Sequence, residues 1–232
     1  MIYQHRQVIA RGGRLSRRHE AFQEETLQAL DDYGSRLIGA WEVIVGREPG
    51  CAVWQLRQFA SLTAWEEHQE RVRQDGELSA RRAQKVFPYN DFVDTSIVRL
   101  VADSSYLVDD WPSFEEVRDE PSGLIEQRTI YLQPGESGKH HEFYFNSISP
   151  VLDEWSRLIG LFDTVIGPGT TNAGSHRSVE IRRYENFVDW ENSRTSIESN
   201  PNLRDLLKVQ WLARIVSVES LLLQPLNYSR IR

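Results

Sequence analysis

Ser35-Arg36-Leu37-Ile38-Gly39 recurs letter for letter as Ser156-Arg157-Leu158-Ile159-Gly160. Each copy is followed by an apolar run that closes on glycine, Val43-Ile44-Val45-Gly46 and then Thr164-Val165-Ile166-Gly167. Both the pentapeptides and the glycines lie 121 positions apart (156 − 35 and 167 − 46). Upstream, Arg6 answers Arg128, and His19-Glu20-Ala21-Phe22 answers His141-Glu142-Phe143-Tyr144. Downstream, Phe59, Leu62, Trp65 and Glu66 answer Tyr184, Phe187, Trp190 and Glu191. The spacing drifts by only a few residues, which fits short length changes in turns. A repeat of this kind decides the architecture before any local reading: one unit of about a hundred residues is written twice.

Each copy reads β-α-β-β-α-β. Strand one is Ile2 to Ala10, answered by Leu124 to Leu132. A glycine-containing loop leads to a helix with Phe22, Thr26, Leu30 and Tyr33 on one face, answered by Tyr144, Ile148, Leu152 and Trp155. Pro150 is expected to kink the second of these helices, because it removes a backbone donor. Strands two and three flank a hairpin loop, Gly46 to Gly50 in the first copy and the longer Gly167 to Gly174 in the second. Ser61 and Asn186 stand where helix N-caps belong. A further helical stretch contains Ala80 to Phe87, answered by Leu203 to Leu212, and the closing strands are Phe92 to Leu100 and Ile215 to Leu223. The expected domains are therefore 1–101 and 124–232, joined by an acidic linker, 102–123, with a short helix of its own.

Composition narrows the function classes. The 232 residues are 40% hydrophobic and 26% charged, enough for a core in each unit. A net charge of −7 argues against a nucleic-acid binder, which needs a basic surface to displace counterions. Cys51 is the only cysteine, so no intrachain disulfide can form. No apolar run approaches a membrane span and no signal-peptide pattern opens the chain, so the expectation is a cytoplasmic protein without membrane contact.

With the copies aligned, the second resembles the NIPSNAP family, a branch of the dimeric α/β-barrel (ferredoxin-like) superfamily. The resemblance is carried by Glu126-Gln127-Arg128-Thr129 through Pro134-Gly135, by Leu158-Ile159-Gly160-Leu161-Phe162 and Val165-Ile166-Gly167, by Asn200-Pro201-Asn202 with Leu206, and by Val218-Glu219-Ser220-Leu221-Leu222-Leu223-Gln224-Pro225. The first copy departs more, opening on Gln4-His5-Arg6-Gln7 and lacking the Asn-Pro-Asn segment. The resemblance implies an α+β fold of two tandem ferredoxin-like (βαββαβ) units, packed as an intrachain pseudo-dimeric α/β barrel. Further homodimerisation would suit it. It does not imply an activity, because folds of this kind host many.

Strand alternation separates two registers. In strand three, Trp54 and Leu56 answer Val179 and Ile181, and these apolar pairs are expected to meet the helices. The other register carries Gln55, Arg57 and Phe59, answered by Glu180, Arg182 and Tyr184, with Gln4 and Arg6 answered by Glu126 and Arg128 on strand one. By family analogy Trp41 and Phe162 join this barrel-facing set, as do Asp94 and Glu219. Buried charges must pair or cost several kcal/mol each. One reading is thus a structural arginine–glutamate network. The other is a small-molecule cavity where arginine polarises a carbonyl or holds an enolate, and a glutamate moves the proton. The copies differ where Gln4 faces Glu126 and Gln55 faces Glu180, so Glu126 and Glu180 are the acid/base candidates, with Arg128 and Arg182 as catalytic partners. Arg6, Arg57, Trp41, Phe162, Tyr184, Glu219 and His176 are the candidate substrate-binding residues. His19 and His141 recur and read as structural or rim residues, while His5 is expected beneath a helix.

No metal-ligand spacing occurs, and neither a phosphate loop nor a nucleophile elbow is present. The expectation is a cofactor-independent enzyme of isomerase, cyclase or lyase type acting on a small molecule. The alternatives are a non-catalytic ligand-binding or scaffold protein, and a monooxygenase or haem-binding protein.

Overall fold

The computed structural model describes residues 1–101, 117, 121–167 and 176–232. Most of the 102–123 linker, with its expected helix, and most of the longer hairpin loop lie outside the described residues. The protein is mixed α/β with antiparallel strands, and it divides into two compact units.

The first unit holds Met1–Ile97 together with the C-terminal Gln224–Arg232. Its strands are β1 (Ile2–Ala10), β2 (Arg36–Val45), β3 (Ala52–Phe59) and β4 (Asn90–Leu100), in the spatial order β4-β1-β3-β2. The second unit, built on Pro121–Leu223, repeats the order as β8-β5-β7-β6. Here β5 is Leu124–Leu132, β6 Arg157–Ile166, β7 His176–Tyr184 and β8 Ile215–Pro225. Val98 to Val101, the far end of β4 and the residue after it, count with this unit, and the Val101 amide donates to the Leu161 carbonyl at 2.9 Å.

The helices start where the sequence places them. Ser61 caps Leu62–Gln74 by accepting from the Ala64 amide, and Asn186 caps Phe187–Ser199 by accepting from the Asp189 amide. Asp75 and Asn200 cap the following helices, Gly76–Lys85 and Pro201–Leu206, in the same way. Each side-chain oxygen satisfies a backbone donor that the helix leaves unpaired. The helix after strand one contains a π turn in both copies, Gln23–Leu27 and Tyr144–Ile148. Pro150 follows only the second turn, so proline is not the common cause of the distortion.

The repeated pentapeptide forms a β-bulge. The β2–β3 register shifts between Leu37 and Gly39, and the β6–β7 register between Leu158 and Gly160. A bulge adds one residue to a strand and re-aims the side chains beyond it. At Gly39 the freed space is filled: a Cβ there would stand 2.0 Å from Cζ2 of Trp41, which is itself fully buried. The first unit's core combines Phe22, Leu30, Leu37, Ala40, Val72 and Leu78 with Tyr228 from the C-terminal segment. That segment lies along β2, with the Leu226 amide donating to Ala40 and the Arg230 amide to Ile38.

Gly39→Ala is expected to lower stability by about 1–3 kcal/mol through overpacking against Trp41. Urea unfolding checks this, and a variant as stable as the parent would show that the Trp41 ring moves aside freely.

Candidate functional site

Which face of each sheet meets the helices is settled by the partners of the third-strand arginines. Arg57 Nη1 donates to Asp31 Oδ1 at 2.9 Å and to Ser35 Oγ at 2.6 Å, and its guanidinium lies 5.9 Å from the Phe22 ring centroid. Phe22 and Asp31 belong to the helical segment after β1, and Ser35 follows it directly. Arg182 likewise reaches Tyr144, Ser149, Asp153 and Ser156. The register of Gln55, Arg57, Glu180 and Arg182 therefore faces the helices, not the opposite side as expected. Trp54, Leu56, Val179 and Ile181 point away from them. His5 is corrected with them: it stacks on Trp54, with ring centroids 4.4 Å apart, on the face away from the helices. Trp41 pairs with Trp54 and Phe162 with Val179, so both occupy that other face, apart from the arginines. Glu219 pairs with Thr129 and is exposed, again apart from the cluster.

In the second unit the helix-facing register is a closed charge network. Arg128 donates to Glu126 Oε2 at 3.2 Å and to Glu180 Oε2 at 3.4 Å. Glu126 also accepts from Tyr184 Oη at 3.1 Å and pairs with Arg194 of the Phe187–Ser199 helix. Tyr144 Oη donates to Glu180 Oε1 at 2.6 Å and accepts from Arg182 Nη1 at 2.8 Å. Burial, reinforced by Glu180, pushes the Tyr144 hydroxyl well above its ordinary pKa, so it stays a donor. Four sequence-predicted catalytic residues, Glu126, Glu180, Arg128 and Arg182, thus come together with Tyr184, but each carboxylate is engaged by arginine. Tyr144, Asp153 and Arg194 were missed, because nothing in their local sequence marks them as partners of a strand so distant in the chain.

A second polar group sits further along the same face. Asp163 pairs with Ser178 in the β6–β7 register, and Ser178 Oγ donates to Asp163 Oδ1 at 2.7 Å. His141 Nε2 and His176 Nε2 each stand 3.0 Å from that same Oδ1. His176 was expected to bind substrate; its convergence with His141 was not, since the two lie 35 residues apart (176 − 141). A cleft of about 360 Å³ opens here, lined by Arg99, Leu100, Val101 and Asp163. Burial would raise the Asp163 carboxyl, but contacts from His141, His176 and Ser178 outweigh it and hold it well below the usual carboxylate range. The close contact with Asp163 raises His176 in turn. His140, next in sequence, is buried away from this contact and is depressed to about 4 by burial and by His141.

The first unit holds a different set. Arg6 and Arg57 are joined by Arg18, from the helix after β1, and Arg82, from Gly76–Lys85. Gln4 and Gln55 stand where the second unit has Glu126 and Glu180. His19 Nδ1 lies 2.7 Å from Tyr228 Oη, and burial with Arg18 depresses the imidazole to about 3. Among the described residues no group of His, Cys, Asp and Glu is arranged to hold a metal, and no helix is long and apolar enough to cross a membrane.

Two outcomes follow. Arg182→Met leaves Asp153 without its cation and Glu180 with Arg128 alone, and is expected to cost about 3 kcal/mol in urea unfolding; a loss below about 1 kcal/mol would show that the network relaxes without it. The second outcome concerns pH. His176, raised in the folded state, stabilises fully below its unfolded pKa of about 6.5, and this is lost as pH climbs through the folded value. Asp163, depressed, stabilises above about 4, and this is lost on acidification. The Tm gap between the parent and Asp163→Asn should therefore be widest between about pH 4 and 6.5, and a gap constant to pH 9 would contradict the pairing.

Residues 3–105 match the family model described as NIPSNAP. The match falls on the first copy, although the motifs quoted above are densest in the second. No curated protein matches the chain. Among solved structures it is similar to a candidate monooxygenase from Fusobacterium nucleatum subsp. nucleatum, 11% identical, with a TM-score of 0.62 over 97% of this chain and 92% of that one. It is also similar to an anthrone oxidase-like protein, 10% identical, with a TM-score of 0.59 over 97% and 91%. A mutant chlorite dismutase from Candidatus Nitrospira defluvii, 9% identical, aligns with a TM-score of 0.55 over 97% and 91%. At these identities the likeness is one of fold. The likeness to the NIPSNAP family thus rests on residues 3–105, the part of the chain that its model matches.

Proposed function

We propose that this chain is a small-molecule enzyme of acid/base type, and that its reacting groups are Asp163, His141 and His176 at the cleft of the second unit. The observation that carries the reading is the convergence of two imidazole nitrogens on one carboxylate oxygen, each at 3.0 Å, beside open space. His176 is the more exposed imidazole and is the group that takes or returns a proton; Asp163 fixes its orientation. Arg99, across the cleft, supplies a positive charge for an enolate or phenolate oxygen. Proton removal beside a carbonyl gives such an anion. Its return at another atom is an isomerisation, and attack on a second carbonyl of the same molecule, which opens that C=O π bond and sends the proton to the alkoxide formed, is a cyclisation. Neither step draws on a cofactor. The same anion also reacts with dioxygen, so cofactor-independent oxygenation belongs to the same reading.

Glu126, Glu180, Arg128, Arg182 and Tyr184 serve in this proposal as the rigid floor of the second unit. Their mutual pairing favours a second reading, in which the chain binds a ligand or partner without turnover. We further propose that 1–101 and 124–232 are tandem copies of one ancestral domain, the second having gained its carboxylates after duplication.

Anthrone and simple 1,3-diketones serve as probes, with hydrogen–deuterium exchange at the acidic carbon followed by mass spectrometry. The parent is expected to exceed buffer by about 10²-fold or more, and His176→Asn and Asp163→Asn to lose that excess while keeping their circular dichroism. Exchange at the buffer rate with every probe would overturn the enzymatic reading in favour of the binding one.

A further inference from the structure

The two units keep the same third-strand arginine but balance it differently. In the second unit Arg128, Arg182 and Arg194 are matched by Glu126, Glu180 and Asp153. In the first unit Arg6, Arg18, Arg57 and Arg82 converge, and Asp31 is the carboxylate that pairs with them among the described residues. Arg18 stands where the second unit has the neutral His140, so the first unit has gained a cation as well as lacking two carboxylates.

Among the described residues these guanidinium groups are short of acceptors. Arg18 is 1% exposed; it donates to the Tyr228 hydroxyl, while its Nε and Nη1 have no hydrogen-bond partner among the described residues. Arg57 spends Nη1 on Asp31 and Ser35 and leaves Nη2 without one. Arg6 Nε and Arg82 Nε are likewise buried and unmet. Arg18 and Arg57 share the Phe22 ring, at 4.9 and 5.9 Å from its centroid. Cation–π contact offsets part of this cost but supplies no acceptor for the orphaned N–H groups. The strain registers on Arg6, depressed to about 9 by burial and by Arg18, Arg82 and Arg57.

A cluster of this composition is complete only with an anion. Its shape is specified by the sister unit, where the position of Gln55 is occupied by the carboxylate of Glu180. We infer that the first unit holds a carboxylate-bearing small molecule between its sheet and its helices, clasped by Arg6, Arg18, Arg57 and Arg82. The planar guanidinium forks suit a two-oxygen anion. Gln55 and Tyr228 line the same spot with neutral polar groups. This site lies in the other unit from Asp163 and stands whether or not the acid/base proposal does.

The test is the Tm of the full chain in sodium chloride, with sodium acetate, benzoate or phosphate exchanged in at constant ionic strength. Acetate or benzoate near saturation should raise Tm by about 5 °C over chloride. Gln55→Glu supplies the carboxylate internally, so it should melt higher than the parent in chloride alone and no longer respond to acetate or benzoate. If that variant does not fold, Arg18→Gln takes its place and should at least halve the response. The inference is overturned if neither carboxylate exceeds chloride, if phosphate alone acts, or if the variant that folds keeps the full response.

Discussion

One hydrogen-bonded bracket, present in both units, holds helix and sheet together. Ser35 Oγ donates to the Leu30 carbonyl at 2.6 Å and accepts from Arg57; Ser156 Oγ donates to the Leu152 carbonyl at 2.8 Å and accepts from Arg182 Nε at 2.8 Å. The serine hydroxyl thus joins its own backbone amide on a carbonyl at the helix end. The arginine arrives from the third strand and also pairs with Asp31 or Asp153, one residue beyond the bonded leucine. A single guanidinium therefore fixes the helix end, the start of strand two and strand three. The repeated Ser-Arg-Leu-Ile-Gly is the sequence trace of this bracket, its serine making the bond and its glycine the bulge that follows.

The bracket commits each unit to burying an arginine between sheet and helices, and the units meet that demand in different ways. The second surrounds Arg182 with Glu180, Asp153 and Tyr144 and becomes internally neutralised. The first keeps glutamine at both carboxylate positions and adds Arg18 and Arg82. One scaffold thus carries a charge-balanced polar core and an unbalanced one, and the difference reduces to a few side chains.

Much of this was legible from residues alone. Strands Ile2–Ala10 and Leu124–Leu132 and the Ser61 and Asn186 caps follow from the repeat and from capping chemistry. The orientation of the sheets was not legible. Alternation identifies the buried face only when the other is wet, and here both are dry: Leu56 and Ile181 are fully buried, and so are Arg57 and Arg182. The helices also carry their own polar partners, Asp31, Tyr144 and Asp153, which a rule that sends apolar residues toward helices does not foresee. The Asp163 cluster escaped for a related reason, since His141, Asp163 and His176 reach one another only once a helix, β6 and β7 are assembled.

The placement of Leu226 to Arg232 has a consequence for how the chain acquires its structure. Tyr228 completes the core around Phe22, Leu30 and Leu78, and the backbone of this segment bonds along β2. During synthesis those residues emerge after the second unit's own Pro121–Leu223. The first unit therefore stays incomplete until the second has been made. The order of folding is expected to run against the order of translation, and the nascent first unit exposes the apolar slot that awaits its closing tyrosine.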